Sequence, residues 1–304
     1  MIPVTSSGSG DPESERADAA RETTANASVM AGHPSPLSDQ DPVLRMRGAT
    51  LALGGRVLWR DLDLEVRPGE LIAVLGSNGS GKTSLLRTIL GEFRLATGEA
   101  TFLEQPLRRG NRHIGYVPQQ GLSDAGVSLR GRDLVGLGLT GHRWGPGLPS
   151  PRRRKIIDDL LREVGASEYA DVPVGLLSGG EQQRLRVAQA LASNPRLLLC
   201  DEPLASLDLR RQAEVVDLID QERKTRGIAV LLVTHDVNPV LEIVDRVLYL
   251  GNERFRIGPP DEVLRSEVLS DLYEAPVEVV RAGGRILVAG TPEHPHHHHQ
   301  GHGQ

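Results

Sequence analysis

The segment Leu71-Ile72-Ala73-Val74-Leu75-Gly76-Ser77-Asn78-Gly79-Ser80-Gly81-Lys82-Thr83 passes from five apolar residues into a glycine-rich octapeptide, and helix-forming residues continue it to Leu90. An unbroken apolar run suits a strand covered on both faces, the condition inside a parallel sheet. Gly76–Thr83 fits the pattern G-x-x-x-x-G-K-[ST], lying after a strand and before a helix as that pattern requires. The spacing has a physical reason. Glycines let the backbone curl until successive N–H groups point inward, and the following helix adds its positive end. Gly76, Ser77, Asn78, Gly79, Ser80, Gly81, Lys82 and Thr83 are therefore expected to cradle a nucleoside triphosphate. Lys82 is expected to reach the β and γ phosphates, and the Thr83 hydroxyl to ligate Mg2+. The plainer alternative is a flexible glycine turn.

Outward from this segment, strand and helix patterns alternate. Leu62, Leu64 and Val66 alternate with Asp63 and Glu65, predicting a strand with one buried face, and Pro68-Gly69 marks a turn. Arg196–Cys200, Ala229–Val233 and Val247–Leu250 predict further short buried strands, with helices over about 181–193, 210–225 and 237–243. This alternation indicates an α/β fold built on a parallel sheet. Residues 121–175 break the rhythm with loops containing Gly, Arg and Pro, then a helical pattern at Arg152–Val164 and no strand. They read as a mostly helical insertion. Val277–Val280 and Arg285–Val288 predict a hairpin around Gly283-Gly284. The resulting organisation is an acidic disordered tail (1–42), a main domain (43–275), a hairpin extension (276–292) and a His-rich disordered tail (293–304).

Leu197-Leu198-Leu199-Cys200-Asp201-Glu202-Pro203 is an apolar strand ending in two acids. An acid at the C-terminal end of a parallel strand lies where α/β sheets bind ligands. Asp201 is placed to hold Mg2+ through water, and Glu202 to polarise an attacking water as a general base. A solvated strand end before a proline stop is the alternative. Leu177-Ser178-Gly179-Gly180-Glu181-Gln182-Gln183-Arg184 reads as a Ser/Gly cap on a helix, a second anion-receptive helix end.

At this octapeptide the chain resembles a family. It is similar to the LSGGQ-type signature of ATP-binding cassette (ABC) ATPases, with Glu181 before the usual glutamine. The order of the other motifs extends the resemblance over about residues 43–275. Gln119, in Tyr116-Val117-Pro118-Gln119, matches the Q-loop; Ser206-Leu207-Asp208 matches the D-loop; His235, in Val233-Thr234-His235-Asp236, matches the switch histidine. The resemblance implies a P-loop NTPase (RecA-like) parallel-sheet core with an antiparallel β-subdomain and a helical insertion subdomain. It implies ATP hydrolysis in which Glu202 activates water, His235 contacts the γ-phosphate and Gln119 reports Mg2+ and nucleotide, with Thr83, Gln119 and Asp201 around the metal. It implies a head-to-tail homodimer in which Ser178, Gly179 and Gly180 of one copy cover ATP held by Lys82 of the other, Asp208 connecting the two sites. One departure is visible. Leu53-Gly54-Gly55-Arg56 stands where the family carries an adenine-stacking aromatic, so adenine contact is expected to be apolar through Leu53, with Trp59 packing in the β-subdomain.

Composition bounds the partners. With 304 residues, 38% of them hydrophobic, the chain can fill a core, and its single cysteine, Cys200, excludes a disulfide scaffold and fits a reducing compartment. No apolar run approaches the roughly 18–20 residues that cross a bilayer, and no signal peptide opens the chain. A cytoplasmic protein held at the inner face of the membrane by a partner is expected. Residues 1–42 hold seven acids and two bases, which accounts for the entire net charge of −5. The neutral remainder argues against nucleic acid.

One cassette with a short insertion and no cysteine cluster fits an importer subunit. Val57-Leu58-Trp59, the stretch Ser128–Gly138 and the closing Val277–Gly290 resemble ATPases of zinc/manganese uptake systems. The reading is thus the ATPase of a metal-ion importer, working beneath integral-membrane permease subunits that an extracytoplasmic solute-binding protein supplies. The alternatives are a non-transport regulatory ATP switch and an importer ATPase for a different substrate. His296–His299, with His302, fit weak chelation of Zn2+, Ni2+ or Cu2+, a low-complexity run, or an added tag.

Overall fold

The computed structural model describes residues 41–119, 129–140 and 150–290. The acidic segment 1–40, the stretches 120–128 and 141–149 of the expected insertion, and the His-rich end from 291 lie outside the described residues. In chain order the first strands are β1 (Leu44–Leu53), β2 (Arg56–Val66), β3 (Leu71–Gly76), β4 (Thr97–Phe102), β5 (Gln105–Pro106) and β6 (Ile114–Val117). They are followed by β7 (Leu197–Asp201), β8 (Ala229–Val233), β9 (Arg246–Gly251), β10 (Arg254–Gly258), β11 (Glu278–Ala282) and β12 (Arg285–Ala289). The helices are α1 (Lys82–Ile89), α2 (Gly131–Thr140), α3 (Pro151–Glu163), α4 (Gly179–Leu191), α5 (Leu209–Arg226), α6 (Pro260–Val263) and α7 (Ser266–Tyr273).

The main sheet has the order β10-β9-β3-β8-β7-β6, parallel except for β10. Its central strand explains the apolar run. Leu71, Ala73 and Leu75 enter a core shared with Leu185, Leu191 and Val215 of the helices, while Ile72 and Val74 enter a second core with Met46, Trp59, Leu85 and Leu86. Both faces are buried, so period-two alternation vanishes. The second core joins the main sheet to an antiparallel sheet ordered β2-β1-β4-β5. Its first hairpin turns at Gly54-Gly55, whose φ values of 58° and 80° give the two-residue turn that suits the strand twist. Trp59 is fully buried there.

Two local expectations change. Residues 131–140 form a helix where the sequence suggested only loops, because the glycines that argue against helix are contact points. A Cβ on Gly138 would lie 2.0 Å from the Gln189 carbonyl oxygen of α4. Residues 237–243 form only a 3-10 turn at Asn238–Val240. There the Asn238 N–H donates to Asp236 Oδ1 (2.9 Å), a side-chain turn that competes with helix.

Two ties fix the frame around the central strand. Arg223 of α5 is paired with Asp220 and with Asp245 (2.7 Å each), and Asp245 also accepts the Leu71 N–H at the start of β3. At the other end of the fold, the β11–β12 hairpin is clamped to the segment after β8 by Asn238, whose side chain accepts from the Ile286 N–H (2.7 Å) and donates to its carbonyl (2.9 Å). Among the described residues no helix is long and apolar enough to cross a membrane.

Candidate functional site

The loop after β3 is shaped by glycines at positive φ. Gly76 has φ 143°, and a Cβ there would lie 2.1 Å from the Leu250 carbonyl oxygen. Gly79 and Gly81 have φ of 76° and 96°. Gly81 precedes α1 with no capping side chain, and no acid stands in the first turn. The first N–H groups of α1 therefore lack a side-chain acceptor and can serve an anion. Lys82 is buried, and its ammonium donates to the carbonyls of Gly76 (2.8 Å) and Ser77 (3.0 Å). Burial pulls its pKa below the ordinary lysine value, against the opposing pull of Glu202 and Asp201.

The two acids meet this loop from β7. Thr83 Oγ1 donates to Asp201 Oδ1 (3.1 Å), and the Tyr116 hydroxyl donates to Asp201 Oδ2 (3.4 Å). Burial raises the Asp201 pKa, opposed by these two hydrogen bonds. Tyr116 is itself pushed up to about 12, by burial and then by Asp201. Glu202 has φ 48°, a left-handed conformation rare for a side-chain-bearing residue, and its N–H donates to the Val233 carbonyl of β8. That turn separates its carboxylate from Asp201. Glu202 Oε2 accepts from Gln119 Nε2 (3.3 Å) and lies 3.4 Å from His235 Nδ1. Lys82, Thr83, Gln119, Asp201, Glu202 and His235 thus converge from four separate stretches of chain.

Asp201 and Thr83 offer hard oxygen donors, which suit Mg2+ completed by water and phosphate oxygens rather than by an all-protein cage. Among the described residues no group of three or more His, Cys, Asp or Glu side chains is gathered to hold a metal alone. Gln119 donates to Glu202, the residue next to Asp201 of the Thr83–Asp201 pair.

Ser178, Gly179, Gly180 and Asp208 form a different cluster. Ser178 caps α4 in a reciprocal box with Glu181, whose carboxylate accepts the Ser178 N–H (2.8 Å). These bonds hold the Glu181 pKa below the ordinary range. Asp208 caps α5 by accepting the Arg211 N–H (3.0 Å). The two helix starts adjoin, since a Cβ on Gly180 would meet Arg211 Cδ at 3.0 Å and one on Gly179 would meet Leu207 at 3.5 Å. Among the described residues no hydrogen bond or ion pair joins this cluster to Gly76–Thr83. Reading the sequence missed two site residues. Tyr116 lies within a quoted motif but carries no motif role, and Tyr273, whose hydroxyl accepts the Ser77 N–H (3.1 Å), lies 196 residues from its partner. A separate cavity of 760 Å³ opens between α2 and α3, lined by Leu129, Arg132, Gly136, Arg153 and Ile157 among others.

Comparison with known proteins extends over most of the chain. The sequence profile of the ABC transporter family matches residues 59–205. The zinc import ATP-binding protein ZnuC of Halorhodospira halophila is 33% identical over 262 residues, covering 85% of this chain and 90% of that protein. The manganese transport system ATP-binding protein MntB of Halalkalibacterium halodurans is 29% identical over 251 residues, 83% of this chain and 100% of the relative. Among solved structures, a chain from an inward-facing ABC transporter assigned to the metal-chelate type superposes with a TM-score of 0.70. It is 26% identical, and the match covers 82% of this chain and 96% of that one.

Proposed function

Because this chain belongs to the ABC transporter family of ATP-binding subunits, we propose that it hydrolyses ATP to drive a metal ion of the zinc/manganese kind inward through separate permease subunits. The observation that carries the catalytic half is the convergence on Glu202. Its Oε2 is reached by both Gln119 and His235, one residue from the Asp201–Thr83 pair and beside the Lys82 loop. In this reading Gly76–Lys82 bind the phosphates, and Glu202 takes a proton from water as it attacks the γ-phosphorus while the bond to the β–γ bridging oxygen breaks and ADP leaves, its developing charge neutralised by Lys82. His235 positions the γ-phosphate and Gln119 the water. Thr83 and Asp201, with Gln119, would hold Mg2+, which would supply charge neutralisation of the phosphate oxygens.

The ZnuC and MntB similarities support the choice of cargo. The subunit would lie on the cytoplasmic face of the membrane. Residue Gln119 and the segment around the 760 Å³ cavity would face the permease, and a solute-binding protein would feed the opposite side. Two copies would pair head to tail, the Ser178–Gly180 start of α4 and Asp208 of one covering nucleotide on the other. Closure of that kind excludes water and adds hydrogen-bond donors at the γ-phosphate.

The test has two arms. In a strain lacking the gene, the wild-type chain restores uptake of labelled Zn2+ or Mn2+, whereas Lys82→Ala and Glu202→Gln do not. Purified Lys82→Ala loses ATP binding; Glu202→Gln keeps it and loses at least about 100-fold in turnover. Uptake that never depends on the chain would remove the cargo assignment. Near-normal turnover of Glu202→Gln would remove Glu202 as the base.

A further inference from the structure

The phosphate loop is held from behind by a residue of the C-terminal region. The Gly76 carbonyl and the Ser77 N–H belong to one planar peptide group and so point in opposite directions. Lys82 donates to the carbonyl side (2.8 Å), and the Tyr273 hydroxyl accepts from the N–H side (3.1 Å). That single peptide is therefore clamped between the loop's own lysine and a tyrosine at the end of α7.

The tyrosine is built into its place. It is 8% exposed, and its ring meets Tyr249 edge-on, with centroids 6.0 Å apart at 88°. Tyr249 is in register with Leu75, the residue before the loop. A Cβ on Gly251 would lie 3.0 Å from the Tyr273 ring, so the missing side chain makes room for it. The helix bearing Tyr273 is tied to the hairpin: Ser270 Oγ accepts the Val277 N–H (2.9 Å), and Ser266 Oγ accepts the Val279 N–H (2.9 Å).

We propose that Tyr273 is a positioning residue for ATP binding. It orients the Gly76–Ser77 peptide so that its carbonyl faces the Lys82 ammonium, and thereby sets where that ammonium stands in the phosphate cradle. Without the hydroxyl, Lys82 alone holds the peptide, from its carbonyl side, and nucleotide must complete its ordering on binding. Tyr273 touches no reacting atom, so the deficit falls on nucleotide affinity and spares the chemical step. This inference rests on the ATPase reading for its kinetic consequence but not for its structural one.

The experiment uses the full-length chain with Tyr273→Phe, which keeps the ring against Tyr249 and Gly251 and removes the hydroxyl with its contacts to Ser77 and to the Tyr249 side chain. The Ser77 amide is expected to exchange with deuterium several-fold faster. KM for ATP is expected to rise about 2- to 10-fold, the loss appropriate to one neutral hydrogen bond, while kcat stays within about twofold. Unchanged protection of Ser77 overturns the proposal whatever the kinetics show. So does an unchanged KM, or a fall in kcat larger than the rise in KM. If the wild-type chain neither binds nor hydrolyses ATP, the functional reading fails, and amide exchange at Ser77 still decides whether Tyr273 holds the loop.

Discussion

Asp201 and Lys82 carry opposite charges in the same half-buried site, and burial moves both toward neutrality. The carboxyl is raised by desolvation, so it becomes protonated at a higher pH than an exposed aspartate, whose pKa is about 4. The ammonium is lowered by desolvation, so it gives up its proton at a lower pH than an exposed lysine, whose pKa is about 10.4. A protonated Asp201 is a poor Mg2+ ligand, and a neutral Lys82 a poor phosphate partner. The expected outcome is a bell-shaped kcat/KM against pH for the free enzyme, with both limbs drawn inward from those ordinary values. Asp201→Asn is expected to lower turnover at least about 100-fold, while ATP binding measured without Mg2+ persists; near-normal turnover would remove Asp201 as a residue that holds Mg2+.

At the level of elements, close approach explains which parts of the fold the sequence announces. Strands β3, β7 and β8 are legible because both of their faces are buried, leaving runs that no exposed strand would carry. The phosphate loop is legible because its glycines are dictated by backbone shape at positions 76, 79 and 81. Helix α2 is hidden for a related reason. Gly138 lowers helix propensity, yet it lets α2 seat on α4, a benefit that exists only after folding. Gly138→Ala is expected to destabilise the chain by about 1–3 kcal/mol in urea unfolding, because its methyl would strike the Gln189 carbonyl. Gly175→Ala, with nothing within 4 Å of its Cβ, is expected to stay within about 0.5 kcal/mol. The clamp between Asn238 and the β11–β12 hairpin is hidden similarly, since its partner Ile286 is 48 residues away. Tyr116 and Tyr273 show the same limit at the site. The motif residues have a fixed local spacing, whereas a lone tyrosine acquires its partner only when distant strands and helices are brought together.

Across the whole molecule, the phosphate loop and the Ser178–Gly180 helix start belong to separate clusters, and the second adjoins Asp208. The head-to-tail pairing proposed above gives that separation a purpose. Glu202→Gln in the presence of ATP is expected to double its mass by light scattering, and adding Ser178→Arg to the same chain is expected to keep it monomeric. A chain that stays monomeric with ATP and an intact Ser178 would leave the second cluster without a role.

The division of the two clusters also governs how damage spreads in a mixed population. In the proposed head-to-tail pair, a chain defective at Lys82 would still lend its sound α4 start to a healthy neighbour, yet would hold no usable nucleotide of its own. Fully competent pairs therefore decline as the square of the healthy fraction, and a titration of altered against normal chains should curve accordingly.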